Sequence, residues 1–265
     1  VVQEHFNDLV VGTYGRGFWI LDDLTPVQQM TDAVRSSEVH LFPPHPTYRF
    51  RQGTVPVTMS DDPSAGQNPP YGAAINYYLK TAPGDVKVEI EDSNKQTVRT
   101  LSGTKNVGLN RITWNLEGEP TREVRMRTSP AYAAEVRVGP EGTRTAPGAP
   151  RMSLLLQPGN YTVKLSVAQQ SSAPTRLREV LTQPLIVKKD PNSEGTESTI
   201  ASQMEMLMAL RKDLDSASEM VNQLEFMRAQ LYQLTAGLGA DGALTKTAAD
   251  ELDKKLIDIE EALIQ

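Results

Sequence analysis

The sequence predicts a mainly β protein that ends in an α-helical hairpin. Near its start, two β-rich runs flank a short glycine-containing turn, and short runs of alternating apolar and polar residues recur between residues 74 and 188. From residue 200 the apolar residues fall three to four positions apart. A period of two indicates strands with one solvent-facing side, and a spacing of three to four indicates amphipathic helices.

Composition excludes several classes of function. The net charge is −6, there is no block of basic residues, and the chain contains no cysteine. A nucleic-acid-binding protein normally carries a basic patch, so we expect no nucleic-acid partner. The absence of cysteine rules out disulfides and cysteine-ligated metals. No apolar run approaches the roughly 20 residues that span a bilayer, so the sequence predicts no transmembrane segment.

The first predicted element is a β-hairpin. Residues 9–13 and 17–21 are the two β-rich runs, and Gly15 lies in the connection between them. Glycine adopts positive φ angles at low cost, which suits a tight turn. Because an isolated hairpin is marginally stable and this one carries Phe18 and Trp19, we expect it to pack against other structure.

Residues 25–71 form a proline-rich linker in this interpretation. Prolines punctuate the stretch, and residues 60–70 consist of loop-forming residue types. A short helix is expected over residues 26–33, with Thr25 as its N-cap and Pro26 at its first helical position.

Residues 72–190 are predicted to be a β-sandwich, with residues 119–151 inserted at one edge. About seven short strands separated by turn signals are typical of this architecture. The best-defined runs lie at residues 74–80, 86–91, 97–101, 111–116, 161–167 and 185–188.

Residues 197–265 are predicted to form an antiparallel helical hairpin. A glycine-rich break at residues 237–242 separates two helical patterns. The apolar positions expected to pack are Ile200, Met204, Leu207, Leu214, Val221, Leu224, Leu231 and Leu234 in the first helix, and Leu252, Leu256, Ile259 and Leu263 in the second.

Residues 8–23 resemble the closing hairpin of a blade in the bacterial sortilin-like, BNR-repeat β-propeller proteins, many of which are labelled glycosyl hydrolases. The residues that carry the resemblance are Asp8-Leu9-Val10-Val11-Gly12-Thr13 and Gly15-Arg16-Gly17-Phe18-Trp19-Ile20-Leu21-Asp22-Asp23. The resemblance implies that residues 1–24 are a fragment of a terminal propeller blade. No Asp-box is present, and no catalytic acid of that family can be placed on a residue of this chain.

The sandwich is similar to the flagellar hook-capping type of immunoglobulin-like domain. The similarity rests on Gly108-Leu109-Asn110-Arg111-Ile112-Thr113-Trp114-Asn115 and on Pro158-Gly159-Asn160-Tyr161-Thr162-Val163. In such a fold, Trp114 and Tyr161 would fill the space between two sheets.

The candidate sites are few. Arg16 is a candidate ligand-binding residue, since between two glycines it could face a propeller channel and hold a carboxylate or a sugar. Asp22 and Asp23 are candidate Ca²⁺ ligands, although Ca²⁺ needs six to eight oxygens and adjacent strand residues point to opposite faces. Turn or cap roles are the alternative for these aspartates. We identify no catalytic residue and expect no cofactor.

These observations favour a non-catalytic C-terminal accessory or interaction module of a larger bacterial protein that is secreted, periplasmic or on the cell surface. The module would cap a β-propeller and mediate assembly or attachment. Its expected partners are the remaining blades, in the same precursor or in a separate chain. Two alternatives stay open: part of a BNR-repeat glycoside hydrolase whose carboxylates lie in other blades, and a sortilin-like receptor for peptides or proteins.

Overall fold

The structure, a computed structural model, describes residues 1–4, 6–50, 69–130, 133, 135–146, 151–168, 177–239 and 242–264. It divides into two compact units. The first comprises Val1–Glu119 and Leu155–Ser202, and the second comprises Pro120–Leu154 and Gln203–Gln265. Most of the segment expected as an edge insertion, residues 119–151, therefore belongs to the same unit as most of the helical segment.

The first unit opens with a three-stranded antiparallel sheet, followed by two short helices. The sheet contains strands β1 (Val2–Gln3), β2 (Asp8–Gly12) and β3 (Phe18–Leu21) in that spatial order. The helices are α1 (Thr25–Gln28) and α2 (Asp32–Ser36). The predicted single helix is thus two, because Thr31 caps α2 through its side chain. Leu24, and not Thr25, is the N-cap residue of α1.

Two further sheets form the rest of this unit. One has the order β4-β6-β9, with strands Val39–Leu41, Ala73–Leu79 and Gly108–Trp114. The other has the order β5-β13-β12-β7-β8, with strands Thr47–Arg49, Leu177–Lys189, Gly159–Ala168, Asp85–Glu91 and Thr97–Ser102. The sheet-rich class expected from the sequence is confirmed.

One hydrophobic core lies between these two sheets. Alternating residues of β6, β7 and β12 are buried in it, as the period of two requires. Trp114 is fully buried, its ring meets the Tyr161 ring edge-on at 5.3 Å, and its Nε1 donates to the Glu117 carbonyl at 2.8 Å. Burial raises the pKa of Tyr161 to about 12. The two aromatic residues therefore occupy the core as expected.

Two strands lie inside the stretch that the sequence indicated as a linker. β4 pairs antiparallel with β6, and β5 pairs parallel with the end of β13. Arg49 at the end of β5 donates from Nε to the Leu156 carbonyl at 2.8 Å. Residues 25–71 therefore supply an edge strand to each sheet. Each of these strands is only three residues long, too short to show a period of two.

Gly72 precedes β6 in a conformation with φ of 134°, where a Cβ atom would lie 2.0 Å from the Trp114 carbonyl oxygen. We expect Gly72→Ala to lower the free energy of unfolding by about 1–3 kcal/mol more than Gly108→Ala, because overpacking adds to the backbone strain. Gly108 also has a positive φ but has open space around its Cα. Chemical denaturation of the two variants measures the difference, and equal losses would contradict the steric explanation.

The second unit combines a small two-stranded ribbon with most of the helical segment. Strands β10 (Arg125–Met126) and β11 (Arg144–Thr145) pair antiparallel. Helices α3 (Glu197–Ala236) and α4 (Ala243–Ile264) run antiparallel in the shared part, since Val221 packs with Leu263 and Tyr232 bonds Asp253. The helical pair expected at the C-terminal end is confirmed. Within the described residues, no helix is sufficiently long and apolar to cross a membrane.

The buried side of α4 differs from the predicted stripe. Leu252 and Ile259 are exposed, whereas Ala249, Leu256 and Glu260 are buried. At the C-terminal end of α4 the charged residue Glu260, and not its neighbour Ile259, faces α3, where it contacts Arg228.

Candidate interaction site

Strand β3 carries an unusual concentration of exposed apolar side chains. The exposed fractions are 81% for Phe18, 67% for Trp19, 63% for Ile20 and 51% for Leu21. Successive strand residues point to opposite faces. Neither face of β3 is therefore covered by the described residues of the chain.

β3 also lies at the edge of its sheet, next to β2 only in the described part of the chain. The register pairs Gly12 with Phe18 and Leu9 with Leu21. An edge strand presents unpaired backbone N–H and C=O groups along one side. The strand thus combines two apolar faces with an open backbone edge.

The turn between β2 and β3 is built from local bonds. The backbone N–H and the side-chain hydroxyl of Thr13 both donate to the Gly17 carbonyl, at 3.1 and 2.9 Å. Gly15 and Gly17 have φ angles of 77° and 75°, which glycine adopts without steric cost. The hairpin predicted from the sequence is confirmed, and Arg16 lies exposed at its tip.

Asp23 joins the end of β3 to the rest of the first unit. Its backbone N–H donates to Asp8 Oδ1 at 2.9 Å, and its Oδ1 accepts from the Thr25 N–H at 3.1 Å. Its Oδ2 accepts from Asn76 Nδ2 at 2.9 Å, and its carbonyl accepts from Arg111 Nη2 at 3.0 Å. One residue with a positive φ of 53° thereby connects β2, α1, β6 and β9.

The partners of Asp23 are themselves bonded to one another. Arg111 Nε donates to Asn76 Oδ1 at 2.7 Å, and Arg111 Nη2 lies 3.8 Å from Asp23 Oδ2. His45 Nε2 lies 3.3 Å from Asp23 Oδ1 and is hydrogen bonded to the Thr25 hydroxyl. Asn76 is buried. Because a satisfied buried polar network fixes geometry, Asp23 holds the β1–β3 sheet in one position on the two-sheet core.

Asn7 provides a second tie between the small sheet and α1. Its carbonyl accepts from the Leu24 N–H at 2.8 Å, and its Nδ2 donates to Thr25 Oγ1 and to Gln28 Oε1, both at 2.9 Å. The residue just before β2 is thereby bonded to the segment that follows β3.

The candidate metal ligands are not gathered as a metal site would require. The Asp23 carboxylate already accepts hydrogen bonds from N–H groups, and Asp22 lies next to it on the chain. Over the described residues, no group of three or more histidine, cysteine, aspartate or glutamate side chains could hold a metal ion. Residues 51–68, which include most of the loop expected over residues 60–70, lie outside the described residues.

Sequence reasoning did not find Asn76 or Arg111. The available signal was Asn76 itself, a polar residue in the middle of the apolar run of β6. Such a residue must have hydrogen-bond partners when buried, but its sequence does not say which ones.

We expect Asp23→Asn to loosen the β1–β3 sheet without destabilising the core. Asparagine tolerates a positive φ but lacks the charge, and a hydrogen bond to a charged group contributes about 1.5–3 kcal/mol. Hydrogen exchange should accelerate at residues 8–12 and 18–21 and stay unchanged in β7 and β12. Asp22→Asn is the matched control. Equal exchange in both variants would show that Asp23 does not anchor the sheet.

The second unit has an open groove on α3, lined by Arg122, Met208, Arg211, Lys212, Asp215, Ser216 and Glu219. Several of its charges pair within the groove. The Arg122 guanidinium bonds Glu219, and Arg211 Nε lies 3.9 Å from Asp215 Oδ2. The backbone N–H of Arg122 also donates to Asp215 Oδ1 at 2.6 Å. These ion pairs leave the charges of Arg122, Arg211, Asp215 and Glu219 already compensated within the groove.

No protein-family model matches the sequence, and no curated protein matches it.

Proposed function

We propose that this chain is a non-catalytic accessory and interaction module of an extracytoplasmic bacterial β-propeller protein. The observation that carries the proposal is β3, a strand with four consecutive exposed apolar residues at the edge of its sheet. The partners are strands of further propeller blades, in the same polypeptide or in a separate chain.

The chemistry of β3 favours a β partner over other kinds. A strand added at the edge satisfies the open backbone groups, and neighbouring blades cover the two faces. Phe18 and Ile20 lie on one face, and Trp19 and Leu21 lie on the other. A ligand that covered only one face would leave a pair of these residues in water.

The remaining sheets of the first unit act as a rigid support in this proposal. The burial of Trp114 and Tyr161 between the two sheets supports an immunoglobulin-like domain of the hook-capping type. The Asp23 network then sets the orientation in which the module caps the propeller. The helical unit would mediate further assembly or attachment.

A binding experiment tests the proposal. The full chain is mixed with a purified β-propeller domain of the sortilin-like, BNR-repeat type, and complex formation is followed by sedimentation velocity. The double variant Phe18→Lys/Ile20→Lys should lose the complex, since charges on an edge strand oppose pairing. Val107→Lys, which changes an exposed apolar residue elsewhere in the first unit, should retain it.

Absence of a complex with the wild-type chain, or equal binding by both variants, would contradict the proposal. Hydrolysis of a polysaccharide panel by the chain alone would contradict its non-catalytic part. Hydrolysis that needs the added propeller would locate the catalytic carboxylates in the blades, and peptide binding that needs the propeller would indicate a receptor.

A further inference from the structure

The second unit contains a buried cluster of charges centred on Arg228. Arg228 Nη1 donates to Glu225 Oε1 and to Glu260 Oε2, each at 2.7 Å, and its Nε donates to Asp253 Oδ1 at 2.9 Å. Glu225 and Arg228 belong to α3, and Asp253 and Glu260 belong to α4. The cluster therefore joins the two helices through one guanidinium.

Glu225 also holds the segment that follows β10. Its Oε2 accepts from the backbone N–H groups of Arg127 and Thr128, the latter at 2.8 Å, and its Oε1 accepts from Thr128 Oγ1 at 2.7 Å. The side chain is fully buried. These bonds require the acceptor form of Glu225, so its carboxylate charge belongs to the folded arrangement.

The cluster holds more negative than positive charge when every group is ionised. Three carboxylates share one guanidinium. Two nearby arginines make their contacts with other groups. The Arg127 guanidinium lies over the Phe226 ring at 5.6 Å, and Arg144 Nε donates to the Thr128 carbonyl at 2.9 Å. Tyr232 donates to Asp253 Oδ2 at 3.5 Å and adds no charge.

We propose that a proton on Glu260 acts as a latch that docks the C-terminal part of α4 on α3, and that loss of this proton loosens the docking. Glu225 and Glu260 both lie against the same nitrogen of Arg228. A protonated Glu260 removes one of two closely placed buried charges and can donate to Glu225.

The direction of the effect follows from the environment of Glu260. Burial, reinforced by the charge of Glu225, raises the pKa of Glu260 above its ordinary value of 4.5, and Arg228 only partly opposes this. A group with a raised pKa in the folded state stabilises that state fully below its unfolded pKa. This contribution is lost as the pH rises through the folded-state value. The docking is thus tightest in acid and weaker toward neutral pH.

Loosening at Glu260 reaches the ribbon of the second unit through Leu263. Leu263 packs against a small buried cluster of Met126, Ala146 and Val221. When the end of α4 moves away, Leu263 no longer covers this cluster. The latch therefore controls access to an apolar patch formed by α3 and the ribbon.

Methionine-methyl NMR of the full chain tests the latch, because Met126 reports on the patch. In the wild type, the Met126 methyl shift should titrate with a midpoint above 4.5, the ordinary pKa of a glutamate. In Glu260→Gln this titration should disappear, because a glutamine amide mimics the protonated acid at every pH. Hydrogen exchange at residues 257–263, corrected for the intrinsic pH dependence, should rise with pH only in the wild type.

Glu261→Gln is the matched control, since Glu261 is the exposed neighbour of Glu260. This variant should titrate like the wild type. A Met126 shift that is independent of pH in the wild type, or that titrates unchanged in Glu260→Gln, would overturn the proposal. The wild-type titration decides the question even if the Glu260→Gln chain does not fold.

Discussion

Trp114→Ala is expected to lower the free energy of unfolding of the first unit by about 3–5 kcal/mol, the usual cost of truncating a buried tryptophan. The side chain is fully buried between the two sheets. Its loss removes the edge-on contact with Tyr161 and the hydrogen bond to the Glu117 carbonyl, and leaves a cavity. Chemical denaturation followed by the β-sheet circular dichroism signal measures the change.

The matched control is Trp19→Ala, which truncates the same side chain on the exposed strand β3. Substitutions at exposed positions usually change stability by no more than about 0.5 kcal/mol. If both variants lose a similar amount of unfolding free energy, Trp114 does not lie in the core with Trp19 on the surface.

Arg228→Met is expected to destabilise the second unit by about 3–5 kcal/mol near neutral pH, because removing one partner leaves buried charges uncompensated. Glu225 and Glu260 would then face each other without the guanidinium that both contact. Asp253 would lose its Arg228 partner as well. The measurement is chemical denaturation followed by the helical circular dichroism signal.

Arg125→Met serves as the control, since the side chain of Arg125 is mostly exposed and pairs with Glu123 at 3.4 Å. An exposed ion pair contributes about 0–1 kcal/mol. The loss of unfolding free energy caused by Arg228→Met should also become smaller toward acid pH, where Glu260 becomes neutral. A loss of unfolding free energy that is equal at all pH values, or no larger than that of Arg125→Met, would show that uncompensated buried charges are not its cause.

Strands with alternating sequences could be predicted closely from the sequence. β7 was expected over residues 86–91 and spans Asp85–Glu91, and β8 was expected over residues 97–101 and spans Thr97–Ser102. β7 has one face in the core, so its apolar residues Val86, Val88 and Ile90 recur every second position. β8 carries only Val98 and Leu101, three positions apart and partly buried. The helical pair could be predicted for the corresponding reason at the helical period.

What could not be predicted depends on contacts between residues far apart in the chain. β4 and β5 become strands because β6 and β13 accept them as edge neighbours, not through a pattern of their own. The local sequence indicates a metal ligand or a turn residue at Asp23, whereas its main partners Asn76 and Arg111 lie more than fifty positions away.

The buried charges of the helices were missed for a related reason. Arg228 and Glu225 interrupt the apolar spacing of α3, and Glu260 replaces an expected apolar position on α4. An apolar pattern alone places such residues on the solvent side. Only the pairing of the helices shows that they face one another.

Iodide quenching of tryptophan fluorescence tests whether β3 is an uncovered interaction strand. The chain has two tryptophans, and the structure leaves Trp19 exposed and Trp114 buried, so the buried residue serves as an internal reference. We expect about half of the emitting tryptophans to be quenched readily in the free chain, and this fraction to be protected when the propeller domain is added. If Trp19 is shielded in the free chain, or stays equally quenchable in the mixture, β3 is not an uncovered strand that binds the propeller.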